Sequence, residues 1–141
     1  MDYFTESAQE TTALGQKIGF NLKPGTTVAL FGDLGGGKTT FLQGLALGLG
    51  VKERILSPTF VISRDYPLSS GGRFYHFDWY RLENEKQAQA LGIEELFGGG
   101  NIVAIEWADR AKKILPQKRI EVYFKQGEKD LERKITVLEK N

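Results

Sequence analysis

A chain of 141 residues is the usual size of one domain and buries about two-thirds of its unfolded surface, so a hydrophobic core is available without staples. It has no cysteine, which excludes disulfides and thiolate metal sites, and its 19 basic and 18 acidic residues leave a net charge of +1, which excludes a general electrostatic pull toward nucleic acid or anionic membranes. The acidic start Met1-Asp2-Tyr3-Phe4-Thr5-Glu6 is unlike a signal peptide, and no run approaches the roughly 20 apolar residues of a membrane span, so a soluble, cytoplasmic protein with no membrane partner is expected.

Leu14, Ile18 and Leu22 recur at spacings of four and predict an amphipathic helix that ends before Lys23-Pro24-Gly25. Ser7 with Glu10 three residues on reads as its capping box. Thr27-Val28-Ala29-Leu30-Phe31 predicts a strand covered on both faces. Phe41, Leu42, Leu45 and Leu49 then have helical spacing, although Gly44 and Gly48 each cost about 1 kcal/mol against alanine, so packing must override propensity. Residues 60–66 and 73–80 predict strands of an antiparallel hairpin joined by Pro67-Leu68-Ser69-Ser70-Gly71-Gly72. A helix is expected over 83–91, and after Gly98-Gly99-Gly100 comes the apolar run 101–106, which ends in Glu106. Residues 119–125 and 131–138 alternate apolar and charged side chains around a turn at 126–129 and predict a second hairpin with one exposed face. The alternation of strands and helices predicts one α/β domain over 1–141, with a mostly parallel central sheet, flanking helices and antiparallel hairpin additions.

Gly32-Asp33-Leu34-Gly35-Gly36-Gly37-Lys38-Thr39 matches the P-loop spacing in full, after a strand and before a helix. The glycines let backbone N–H groups converge on phosphate oxygens, and the helix adds its positive N-terminal dipole. Leu34, Gly35, Gly36, Gly37, Lys38, Thr39 and Thr40 are therefore the expected nucleotide-binding set. Lys38 would reach the β- and γ-phosphates, and the Thr39 hydroxyl would ligate Mg²⁺.

Such a loop also needs an acid near the metal and a group that orients the attacking water. Glu106 ends its run as a Walker-B acid ends a buried strand beside the P-loop strand. Asp78, between His76 and Tyr80, is the second candidate, either ligating a water on Mg²⁺ or acting as the base. His76 is the only histidine, and a lone histidine is more often structural than catalytic. Trp107 is open between site, core and partner surface; Arg64, Arg73, Arg81 and Arg110 could supply positive charge to the transition state, yet each is more often solvated, and none is singled out. For the base of the nucleotide, residues 10–12 and the hairpin near Arg133 are offered.

Several words line up with one family: the loop with Thr40, Ser57-Pro58-Thr59-Phe60, His76-Phe77-Asp78-Trp79-Tyr80-Arg81-Leu82, Gly92-Ile93-Glu94-Glu95-Leu96-Phe97 and Ile105-Glu106-Trp107. In this order, over about residues 14–116, the chain resembles the TsaE family, the small P-loop ATPases of bacterial tRNA threonylcarbamoyladenosine biosynthesis. Gly36 replaces a usual alanine and Trp79 a common leucine; neither removes a functional group. The resemblance implies a P-loop NTPase fold, ATP with Mg²⁺ as cofactors, Thr39 and Glu106 on the metal, Lys38 on the phosphates, and Asp78 required for hydrolysis. It implies a switch-like Ser57-Pro58-Thr59 and two protein partners, TsaB and TsaD, with tRNA met only through that assembly. It further implies that TsaD transfers the group and that ATP turnover resets the pair.

A small-molecule kinase would need an arginine-bearing lid, and no such cluster appears; a GTPase would carry an Asn/Thr-Lys-x-Asp motif, which is missing. A nucleotide-gated scaffold with little intrinsic turnover is the other alternative.

Overall fold

Strands β2 (Thr27–Gly32) and β5 (Ile102–Glu106) lie side by side at the centre of a seven-stranded sheet. Both are short apolar runs buried almost throughout, as a strand with helices or turns on both faces must be. The computed structural model describes residues 1–32, 37–55 and 63–141, so Leu34, Gly35 and Gly36, the Ser57-Pro58-Thr59 segment and the start of the first expected hairpin strand lie outside the described residues.

With β1 (Asp2–Thr5), β3 (Ser63–Pro67), β4 (Arg73–Asp78), β6 (Arg119–Gln126) and β7 (Arg133–Lys140), the order is β1-β7-β6-β2-β5-β4-β3. The four central strands β6, β2, β5 and β4 are parallel, and β3, β7 and β1 add antiparallel edges. Both expected hairpins form among the described residues, but β4 ends at Asp78 rather than 80, and the last strand starts at Arg133 rather than 131, because a wider turn is closed by Gly127 N–H donating to the Glu132 carbonyl at 2.8 Å. Strand β1 has no counterpart in the sequence reading. It is four residues long with an exposed Phe4, too short to show alternation, and exists because β7 offers it a partner edge.

Helices α1 (Ala8–Phe20) and α2 (Lys38–Gly48) cover one face, where Leu14, Leu30, Phe41, Leu45 and Ile135 join one cluster. The other face packs Phe31, Phe77, Trp79 and Ile105 under α3 (Glu85–Ala90) and two 3₁₀ segments, Ile93–Leu96 and Ala108–Ile114. Val28 and Leu30 face α1 and α2, while Ala29 and Phe31 face the other way, the period of two that a doubly covered strand requires.

Gly44 and Gly48 are explained by the contact between α1 and α2. A Cβ at Gly44 would overlap the Thr12 carbonyl and one at Gly48 the Gln16 carbonyl; Gly15 and Gly19 of α1 meet the Phe41 and Leu45 carbonyls in the same way. The cost in propensity is offset by closer backbone packing.

Ser7 caps α1, accepting from the Glu10 N–H at 3.1 Å, but the Glu10 carboxylate returns to the N–H of Glu6 at 3.0 Å rather than to that of Ser7. Helix α3 repeats the arrangement: Asn84 accepts from Gln87 N–H, and the Gln87 amide oxygen accepts from Glu83 N–H. That cap starts α3 at Glu85, two residues inside the expected range.

Candidate active site

Strands β2, β5 and β4 end together, and their registers align the chemistry: Leu30 pairs with Glu106, and Glu106 with Asp78. The carboxylate that ends the apolar run therefore stands between the strand that ends at Gly32 and the strand bearing the second acid. At Gly32, where β2 ends, φ is +141° and a Cβ would meet the Phe124 carbonyl oxygen at 2.7 Å, so only glycine lets the chain leave the sheet here. Gly37 (φ +88°) is the N-cap of α2, which places Lys38, Thr39 and Thr40 in the helix's first turn.

Lys38 is 5% exposed, and a buried ammonium must find partners. Its Nζ donates to the Gly32 carbonyl at 2.6 Å and lies 3.7 Å from the centroid of the Trp107 ring. Trp107 reaches it through a left-handed backbone (φ 57°), unusual for so bulky a residue, which turns the chain sharply after β5. The exposed Tyr80 ring stands 5.0 Å from that of Trp107, and the Arg110 guanidinium lies 5.8 and 5.7 Å from the two centroids. Trp107 and Arg110 thus stand together beside Lys38, which adjacency to Glu106 hinted for the first, while the second is one of four arginines that the sequence does not tell apart. Arg73 pairs with Asp65 along the β3–β4 hairpin, while Arg64 and Arg81 are exposed.

Glu106 is 4% exposed and accepts at Oε2 from His76 Nε2 at 2.7 Å. An ionised Glu106 only accepts, and on that basis the imidazole hydrogen is assigned to Nε2. The sequence reading leans to a structural role for His76; its ring is fully buried, and its hydrogen-bond partner among the described residues is Glu106. Asp78 is half-buried, and its Oδ1 accepts from the Tyr80 N–H at 2.9 Å. Burial pushes its carboxyl above the usual carboxylate range; the Glu106 charge adds to this, while the Tyr80 N–H, His76 and Lys38 oppose it.

Thr39 and Thr40 are half-buried in that first turn, beside the strand ends. Space beside Gly37 is bounded by Thr11 and Arg133, 3.8 and 3.7 Å from an ideal Cβ, so the two segments offered for the base do border the loop. Glu10 is instead spent on the cap of α1. The described residues hold no group of three or more His, Asp or Glu side chains able to cage a cation by themselves. Two carboxylates in register, one raised by burial and by its neighbour's charge, offer oxygen donors whose mutual repulsion a divalent cation would relieve, so the donor set fits Mg²⁺.

Residues 5–135 match the family described as Threonylcarbamoyl adenosine biosynthesis protein TsaE. The chain is 40% identical over 137 residues to the tRNA threonylcarbamoyladenosine biosynthesis protein TsaE of Bacillus subtilis (strain 168), covering 94% of this chain and 81% of the relative. It is 39% identical over 120 residues to the protein of that name from Treponema pallidum (strain Nichols), covering 84% and 86%. Among solved structures it is similar to Bacillus subtilis YdiB, with a TM-score of 0.81 and 35% identity, covering all 100% of this chain and 86% of that one.

Proposed function

The chain belongs to the TsaE family, and from that premise we propose that it is the Mg²⁺-dependent, ATP-binding and ATP-hydrolysing component of tRNA threonylcarbamoyladenosine biosynthesis, acting on a TsaB–TsaD pair in the cytoplasm rather than transferring the group itself. One observation supports the reading most directly: Lys38, Glu106 and Asp78 converge where β2, β5 and β4 end, beside the start of α2.

Lys38 is the phosphate-binding cation, already held at the end of β2 by the Gly32 carbonyl and the Trp107 face. An arriving phosphate offers it charged oxygens in their place, a stronger partner than a neutral carbonyl. Thr39 and Glu106 would hold the ion, which would supply positive charge against the phosphates when bound. Asp78 stands across from Glu106 with one oxygen tied to the Tyr80 N–H, which fixes the rotamer of a carboxyl suited to orienting a water or taking its proton. ATP rather than GTP follows from the missing guanine-reading motif.

The exposed Tyr80 and Arg110 beside Trp107 favour, as a second reading, a nucleotide-gated scaffold whose turnover needs a partner. The test of both is ATP turnover by the chain alone, then with TsaB and TsaD, beside Lys38→Ala. Turnover that rises on adding the pair and is lost in the variant is expected. Robust phosphoryl transfer to a small metabolite would sink the assignment.

A further inference from the structure

His76 is a buried imidazole whose Nδ1 has no hydrogen-bond partner among the described residues, a costly choice for a position that needs only packing. An apolar side chain would fill the same space without that cost. The ring's one polar contact is Nε2–H to Glu106 Oε2 at 2.7 Å, between side chains that are 0% and 5% exposed. The registers show how it is reached. His76 faces Ala104 across β4 and β5, while Asp78 faces Glu106. A methyl group opposite the ring leaves the diagonal open, and along it the imidazole meets the carboxylate two residues further on.

We propose that His76 is a positioning residue: it fixes the rotamer of Glu106 so that the carboxylate's other oxygen is presented to the metal of a bound Mg²⁺–nucleotide. The inference rests on the function proposed above and assigns to His76 a role in metal affinity, without contact with nucleotide or water. A carboxylate held by one buried hydrogen bond loses less rotamer freedom on binding the ion, and losing such a supporting partner typically costs 10–100-fold in metal affinity or activity.

The experiment is calorimetric binding of ADP, which cannot be turned over, in EDTA and across a Mg²⁺ titration, with thermal unfolding in EDTA alongside. For His76→Ala the Mg²⁺ concentration that half-maximally tightens ADP is expected to rise by roughly 10–100-fold, with affinity in EDTA unchanged within about 2-fold. His76→Gln, whose amide N–H can still reach Glu106, should recover most of the loss. In a Glu106→Gln background, His76→Ala should shift the Mg²⁺ dependence no further, because both act through one group. Should His76→Ala not fold, His76→Asn replaces it, its shorter amide falling short of Glu106. A His76→Ala protein that unfolds at lower temperature but keeps the wild-type Mg²⁺ dependence, or an undiminished effect in the Glu106→Gln background, overturns the inference alone. Wild-type protein whose ADP affinity ignores Mg²⁺ overturns the proposed function and the inference with it.

Discussion

The Lys38 ammonium rests 3.7 Å from the centroid of the Trp107 ring while donating to the Gly32 carbonyl, so the cation proposed to bind phosphate sits against an indole. Phosphate oxygens that draw Lys38 away change the field on that ring. Trp107 emission is therefore expected to shift when Mg²⁺–ATP is added. Trp79, the other tryptophan, is fully buried in the cluster against which the half-buried Trp107 packs, whereas the Lys38 ammonium lies over Trp107, so Trp107→Phe should remove most of the response. Lys38→Ala should weaken nucleotide binding at least about tenfold, since a charge-assisted contact to phosphate is lost. A response undiminished in Trp107→Phe would reject the assignment.

Asp78 is held in a conflict between burial and function. Its carboxyl is raised first by burial and also by Glu106, so the ionised form costs free energy in the folded state. Asp78→Asn keeps an Oδ1 to accept from Tyr80 N–H and removes the charge. In metal-free buffer at neutral pH, this variant should unfold at higher temperature than wild type, by a few degrees for about 1 kcal/mol. Nucleotide binding should persist while hydrolysis falls by about 10²-fold or more. Hydrolysis at the wild-type rate would remove Asp78 from the chemistry.

Gly44 and Gly100 separate two kinds of glycine. A Cβ at Gly44 overlaps the Thr12 carbonyl of the neighbouring helix, whereas one at Gly100 meets nothing nearer than 3.9 Å. Gly44→Ala forces α1 and α2 apart and should cost about 1–3 kcal/mol by denaturant titration. Gly100→Ala should be near neutral, and equal effects of the two would contradict the packing account.

Glu121 is buried in β6 between Arg119, whose Nε donates to it at 2.8 Å, and Tyr123, whose hydroxyl donates at 2.8 Å. Burial pushes its carboxyl up, but the Tyr123 and Arg119 hydrogen bonds and the Arg119 and Lys112 charges together hold it below the usual range. A lowered folded-state value means that its contribution to stability is fully present above about pH 4.3, the unfolded value, and is lost as pH falls through the folded one. Burial and Glu121 in turn push the Tyr123 phenol up to about 12, so it stays a donor throughout. Tyr123→Phe should cost about 1 kcal/mol at pH 7, with the difference from wild type shrinking below about pH 4. A constant difference down to acid unfolding would show that the hydroxyl acts elsewhere.

Much of this molecule was legible in one dimension, and for a consistent reason. Periodicity and capping are local, so α1, β2, α2, both hairpins and β5 could be read from spacings of two and four and from Ser7 with Glu10. The P-loop spacing and a carboxylate at a strand end are also local, and they named Lys38 and Glu106. What lay out of reach depends on residues distant in sequence. Strand β1 forms only because β7, about 130 residues later, offers an edge. The glycines of α2 make sense only against the carbonyls of α1. Trp107 turns over Lys38 through a left-handed backbone that no residue type announces. The sharpest case is His76: composition marks it as a lone histidine, while the β4–β5 register and the small Ala104 opposite are what bring it to Glu106, because cross-strand reach is set by pairing rather than by position along the chain.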